Sequence, residues 1–180
     1  MTPWVKPPLP PRLAAARRLP LVGRHRELEC LEDVWADVLE GHRQVVFVGG
    51  EPGAGKTRLI AEVAGALYDN DVTVLVGSSS PDAGVPYQPF TEMLDYLFDN
   101  APPGSLRELL ERGGLELRRL TASVTRHRSD LPDVGEANEV RRDLFDAVAE
   151  LVAALSAVRP LGIFLDDLHW AQPPTLALLE

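Results

Sequence analysis

Apolar positions in this chain follow two rhythms. From about Glu27 to Glu40, Leu28, Leu31, Trp35, Val38 and Leu39 recur at helical spacing, with Gly41 a fitting stop. Gln44–Val48 is instead a continuous apolar run, the form of a strand covered on both faces in a parallel sheet. A glycine-rich stretch follows, then helical spacing from near Gly55 to about Asp69, then a second buried strand at Val72–Val76. Strand, helix and strand in this order make a βαβ unit. Pro89 suits the first turn of a helix reaching about Asn100, and shorter helices are expected over Ser105–Arg112 and Leu115–Val124. A longer helix is predicted from Glu136 to Val158, with Val140, Leu144, Val148, Leu151, Leu155 and Val158 on one stripe. Pro160 ends it, Leu161–Leu165 is a third buried strand, and the closing PTLALLE begins another helix. Six prolines in residues 1–20 disfavour helix and ladder pairing there. An extended, mostly unstructured arm is expected, with the folded domain spanning 21–180.

Composition adds constraints rather than detail. With 180 residues, 45% hydrophobic and 25% charged, the chain fits one globular domain. No apolar run is long enough to span a bilayer, and the proline-rich start lacks the apolar core of a signal peptide. Cys30 is the single cysteine, which excludes an internal disulfide or a thiolate zinc cluster and points to the cytoplasm. Net charge is −9, unevenly spread: residues 1–26 carry +6 and the remainder −15. So acidic a body argues against direct nucleic-acid binding by this segment.

Gly50-Glu51-Pro52-Gly53-Ala54-Gly55-Lys56-Thr57 matches G-x-x-x-x-G-K-[ST] at every fixed position. Glycines let the backbone curl around a phosphate and turn its N–H groups inward, while the helix that starts there adds its positive end. Lys56 is a point charge for the β- and γ-phosphates, and the Thr57 hydroxyl can ligate Mg²⁺. A chance glycine turn is the bland alternative, but the motif follows a buried strand and opens a helix, as the chemistry requires. The candidate nucleotide-binding set is Gly50, Glu51, Pro52, Gly53, Ala54, Gly55, Lys56, Thr57 and Arg58.

Leu161–Leu165 ends in Asp166 and Asp167, the form of a Walker B strand. A buried parallel strand delivers such side chains to the carboxyl edge of the sheet, beside the phosphate loop. Asp166 is then the second Mg²⁺ ligand, and Asp167, with Lys56, the catalytic pair, Asp167 polarising the attacking water. The competing role for Asp167 is to cap the helix that follows.

Together, Leu21-Val22-Gly23-Arg24, the phosphate loop, Pro86–Phe90 and Leu165–Leu179 (LDDLHWAQPPTLALL) resemble the AAA-like ATPase domain of STAND signalling proteins. The nearest subgroup is the ATP-binding LuxR-type transcriptional regulators. The resemblance implies an α/β fold: a P-loop NTPase three-layer sandwich around a parallel sheet, here truncated after the Walker B strand. It also implies ATP and Mg²⁺ as cofactors, slow hydrolysis, ATP and ADP as partners, and self-association on ATP binding. Val22 and Arg24 carry over as adenine contacts, against a solvated charge for Arg24. Gln172 departs from the family, which usually has an acid there. In the family a further strand lies between the phosphate-loop strand and the Walker B strand. The chain therefore reads as the N-terminal part of a larger protein or as a truncated gene product.

Other features weigh less. The histidines are scattered and form no zinc pattern. Trp170 is expected to pack under the next helix rather than stack on a base. Residues 112–128 carry five arginines against Glu116 alone, read as a solvated surface rather than a partner site. The functional choice lies between an ATP-driven switch, a motor-type ATPase, a small-molecule P-loop kinase with an arginine-rich lid, and a remnant without function. An acid placed to activate water favours hydrolysis over kinase transfer.

Overall fold

In the computed structural model, which describes residues 5–81, 84–111, 113–132 and 141–180, the first element is a helix, α1, Pro11–Arg17. Sequence reasoning expected an extended arm here. Pro11 sits in the first helical turn, where its missing N–H costs nothing, and Leu13 gives the helix something to bury. Leu13 is 1% exposed, among Ala61, Ala64, Val74 and Val76. A side chain at Gly65 would collide with the Arg17 guanidinium, so the glycine lets α1 lie close. The arm is pinned further along its length. Lys6 donates to the Tyr68 carbonyl and pairs with Asp71; Arg12 donates to Gly77 O at 3.1 Å; Tyr96 donates to Pro8 O at 3.0 Å.

Helices α2 (His25–Leu39) and α3 (Lys56–Asp69) precede strand β1 (Thr73–Ser78). α4 covers Gln88–Asn100. Residues 105–111, expected as a helix, form consecutive turns after Gly104, which holds φ 76°. The helix expected over Leu115–Val124 is divided into α5 (Gly114–Leu117) and a 3₁₀ turn (Ala122–Arg126). Thr121 is extended and accepts the Ser123 N–H at 3.0 Å, restarting the chain in a new direction. α6 is Arg141–Val158; the part of that helix predicted before residue 141 lies outside the described residues. β2 (Leu161–Asp166) and α7 (Pro173–Leu179) follow.

Among the described residues the sheet has two parallel strands, β1 and β2, in a register that places Ser78 opposite Asp166. Alternation along β1 sends Leu75 to one face and Val74 and Val76 to the other. The first face packs on α4, α5 and α6 through Phe90, Met93, Leu97, Leu117 and Leu151; the second packs on α3 and α1. Helices thus cover both faces of a mixed α/β domain.

The expected strand at Gln44–Val48 is not one. This stretch is irregular and open to solvent, Val45 70% and Phe47 86% exposed. A strand needs a neighbour to take its backbone bonds, and here a cleft of about 700 Å³ lies between this segment and β2. Leu31, Trp35, Val38, Val46, Ile163 and Leu165 are among the residues facing that space. No helix among the described residues is long and apolar enough to cross a membrane.

Candidate nucleotide site

Glycines set the shape of the loop at residues 50–57. Gly53 and Gly55 hold φ of 78° and 84°, where a side chain would be strained. Gly55 is also the residue from which α3 starts, and no side chain caps that end. The first N–H groups of α3 therefore lack both an intrahelical acceptor and a capping oxygen, leaving positive partial charge to meet an anion. The Lys56 ammonium lies over the loop, donating to Gly50 O at 2.8 Å and Glu51 O at 3.1 Å.

β2 brings the acids to the same place. Thr57 Oγ1 donates to Asp166 Oδ2 at 3.3 Å, joining residues 109 positions apart. The other carboxylate oxygen, Oδ1, accepts the Asp167 N–H at 3.0 Å. Asp166 is thus oriented from both sides at the carboxyl end of its strand. A hydroxyl and a carboxylate side by side form a hard-oxygen donor set that suits Mg²⁺, which takes few protein ligands and completes its shell with water and phosphate. The described residues contain no cluster of three or more metal-ligating side chains, as such a shared site would not require.

Asp167 stands at φ 55°, an uncommon backbone for a residue with a side chain and one that costs on the order of 1 kcal/mol or more. Its carboxylate makes no capping bond to the 3₁₀ turn Leu168–Trp170, which removes the capping role as its explanation. His169 Nδ1 lies 3.9 Å from Asp167 Oδ1. Trp170, expected to be packed away, is 48% exposed and leans on His169 with ring centres 4.9 Å apart. Ala171 and Gln172 are extended and separate Trp170 from the start of α7.

The remaining predicted contacts are more dispersed. Val22 is 82% exposed. Arg24 reaches the loop itself: one nitrogen donates to Ala54 O at 2.6 Å and another is paired with Glu27. That bond holds the Glu27 carboxyl below its ordinary range. The guanidinium of Arg58 turns from the loop to the Leu19 carbonyl and to Glu62, at 2.6 Å from the latter. Sequence reasoning missed one link in this region. Tyr87, at φ 62°, donates its N–H to the Thr175 hydroxyl at 2.8 Å, tying the start of α4 to α7. Only the family-like PYQPF stretch marked that position.

A phosphate-binding loop opening a helix, with a strand-end carboxylate on its threonine, defines a nucleotide-binding P-loop domain. The particular family is the AAA ATPase domain family, which matches residues 20–180, and the chain belongs to it. An uncharacterized protein of Rhizobium meliloti (strain 1021) is 23% identical over 177 residues, 89% of this chain. The chain spans 17% of that relative's length. No solved structure matches it significantly.

Proposed function

We propose that this domain binds Mg-ATP and hydrolyses it slowly, as the switch of a signalling or transcription-regulating protein whose output lies in another part of the polypeptide. The observation that carries the reading is the meeting of Thr57 and Asp166 beside Lys56. Gly50 to Thr57 and the Arg58 N–H take the phosphates, and exposed Val22 is available to the adenine ring. Bound Mg²⁺ would neutralise charge on the β- and γ-phosphates, held by Thr57 and Asp166. Asp167 is set to accept a proton from water, its carboxylate half-exposed and unclaimed by a cap.

The fold reading extends in the same way. The cleft between residues 44–49 and the outer edge of β2 has the position of a further parallel strand, which would complete a three-layer sandwich and shelter Val45 and Phe47. The small size of the match relative to its long bacterial relative supports an output region elsewhere. Cytoplasmic location and self-association on ATP binding belong to the same proposal. The kinase alternative loses its support in the arginines. Arg126 pairs with Asp99 at 2.9 Å and Arg119 with Glu116 at 3.1 Å, while Arg128 grips Asp130 through two 3.0 Å bonds. These three brace their own subregion, which favours hydrolysis over a kinase lid; Arg112 lies outside the described residues.

Lys56→Ala tests the reading. Calorimetric titration should show Mg-ATP binding in the parent and none, or at least a hundredfold weaker binding, in the variant. Equal affinities would sink it.

A further inference from the structure

The family resemblance implies that Arg24 contacts the base. Its bonds point elsewhere. The guanidinium donates to the Ala54 carbonyl at 2.6 Å, inside the phosphate loop and next to Gly55, from which α3 starts. On its other side it is paired with Glu27, in the first turn of α2. Both partners fix the planar fork in one orientation, which a point-charge ammonium could not reproduce.

A trans peptide is planar, and its C=O and N–H point in opposite directions. All described peptides are trans, so pulling the Ala54 oxygen toward Arg24 aims the Gly55 N–H away from Arg24. Gly55 is free to hold this pose because it has no Cβ, at φ 84°. A glycine-rich loop with nothing to hold it would sample other peptide orientations, and ordering them on binding would weaken affinity.

We infer that Arg24 is a positioning residue for the phosphate loop, holding the Ala54–Gly55 peptide so that its N–H faces the polyphosphate, and that Glu27 holds Arg24 in turn. The inference rests on the Mg-ATP reading and goes beyond it, because it makes the role of Arg24 independent of the base. Residue 24 should then affect every polyphosphate ligand alike.

The test measures binding of Mg-ATP, Mg-GTP and Mg-tripolyphosphate to the full chain and to Arg24→Ala, Arg24→Lys and Glu27→Gln. Losing a charged hydrogen bond of this kind corresponds to about a tenfold loss, expected equally for all three ligands in Arg24→Ala. Arg24→Lys should recover part of that loss, again equally. Glu27→Gln, which leaves the loop's own contacts in place, should give a smaller loss of the same pattern, and thermal melts of the ligand-free proteins separate it from unfolding. Overturning results are a loss confined to ATP, which would return Arg24 to the base, and unchanged affinity in both Arg24 variants. If the parent binds none of the three ligands, the nucleotide reading itself falls, and this inference with it.

Discussion

Leu13→Ala separates an arm that belongs to the domain from one that merely leads into it. Leu13 is 1% exposed and touches the cluster of Ala61, Ala64, Val74 and Val76 that lies behind the phosphate-loop helix. Truncation removes three buried carbons, about 2.4 kcal/mol at roughly 0.8 kcal/mol per carbon. A rigid cavity would add to this, but a seven-residue helix can settle or lift away, so about 2–3 kcal/mol is the expected cost. The ion pairs along the arm do not compensate. Arg17–Asp69 at 2.8 Å and Lys6–Asp71 at 3.3 Å involve acids more than half exposed, and such pairs contribute about 0–1 kcal/mol each. The assay is limited trypsin cleavage at Arg17 and Arg18 under native conditions. When reclosing is fast, cleavage follows the open population, so 2–3 kcal/mol becomes about a 30- to 150-fold faster cut. Leu19→Ala, at a position 63% exposed, is the control and should leave the rate alone. Equal cleavage of the parent and Leu13→Ala would mean that the arm is a solvated linker and that its packing contributes nothing.

Asp167→Asn should retain Mg-ATP and lose turnover, whereas Asp166→Asn should weaken the magnesium dependence of binding, in titrations with and without the metal. Parent-like hydrolysis by both would remove the acidic site. A third expectation concerns acid. The Lys6 bond, with help from Arg159, holds the Asp71 carboxyl below its ordinary value of 3.8. Its contribution to arm docking is therefore present above that value and lost as the pH falls below it. Pepsin cleavage of the arm should accelerate across that range in the parent and show a smaller step in Asp71→Asn; identical profiles would exclude Asp71 as a clasp.

The legible parts of this fold are those whose signal is local. Lys56–Asp69 and Leu161–Asp166 come within a residue or so of their predicted bounds, because helical spacing, an apolar run and a flanking proline act over a few positions. The strand-end acid and the loop could be paired in advance because an apolar run ending in acids delivers them to the carboxyl end of β2, and α3, packed on the sheet, brings Thr57 to Asp166 at 3.3 Å even though the segment before the loop is not a strand. The misreadings are cases where a neighbour decides. Gln44–Val48 has strand composition, but without a partner for its backbone the same residues stay irregular and exposed. The arm failed in the opposite direction. Proline density argues for an extended chain only when nothing offers burial, and here Leu13, with Leu9 and Ala16 beside it, meets a small-residue groove that includes Ala61, Ala64 and Gly65. That groove is spelled out in α3 as A-x-x-A-G, a close-approach surface on the helix that the glycine-rich loop opens. The same helix therefore serves two contacts. Its first turn leaves uncapped N–H groups at the glycine-rich loop, and its next turns present small residues to the arm. Arg58 joins them, one residue after the threonine that donates to Asp166 and bonded to the arm at Leu19.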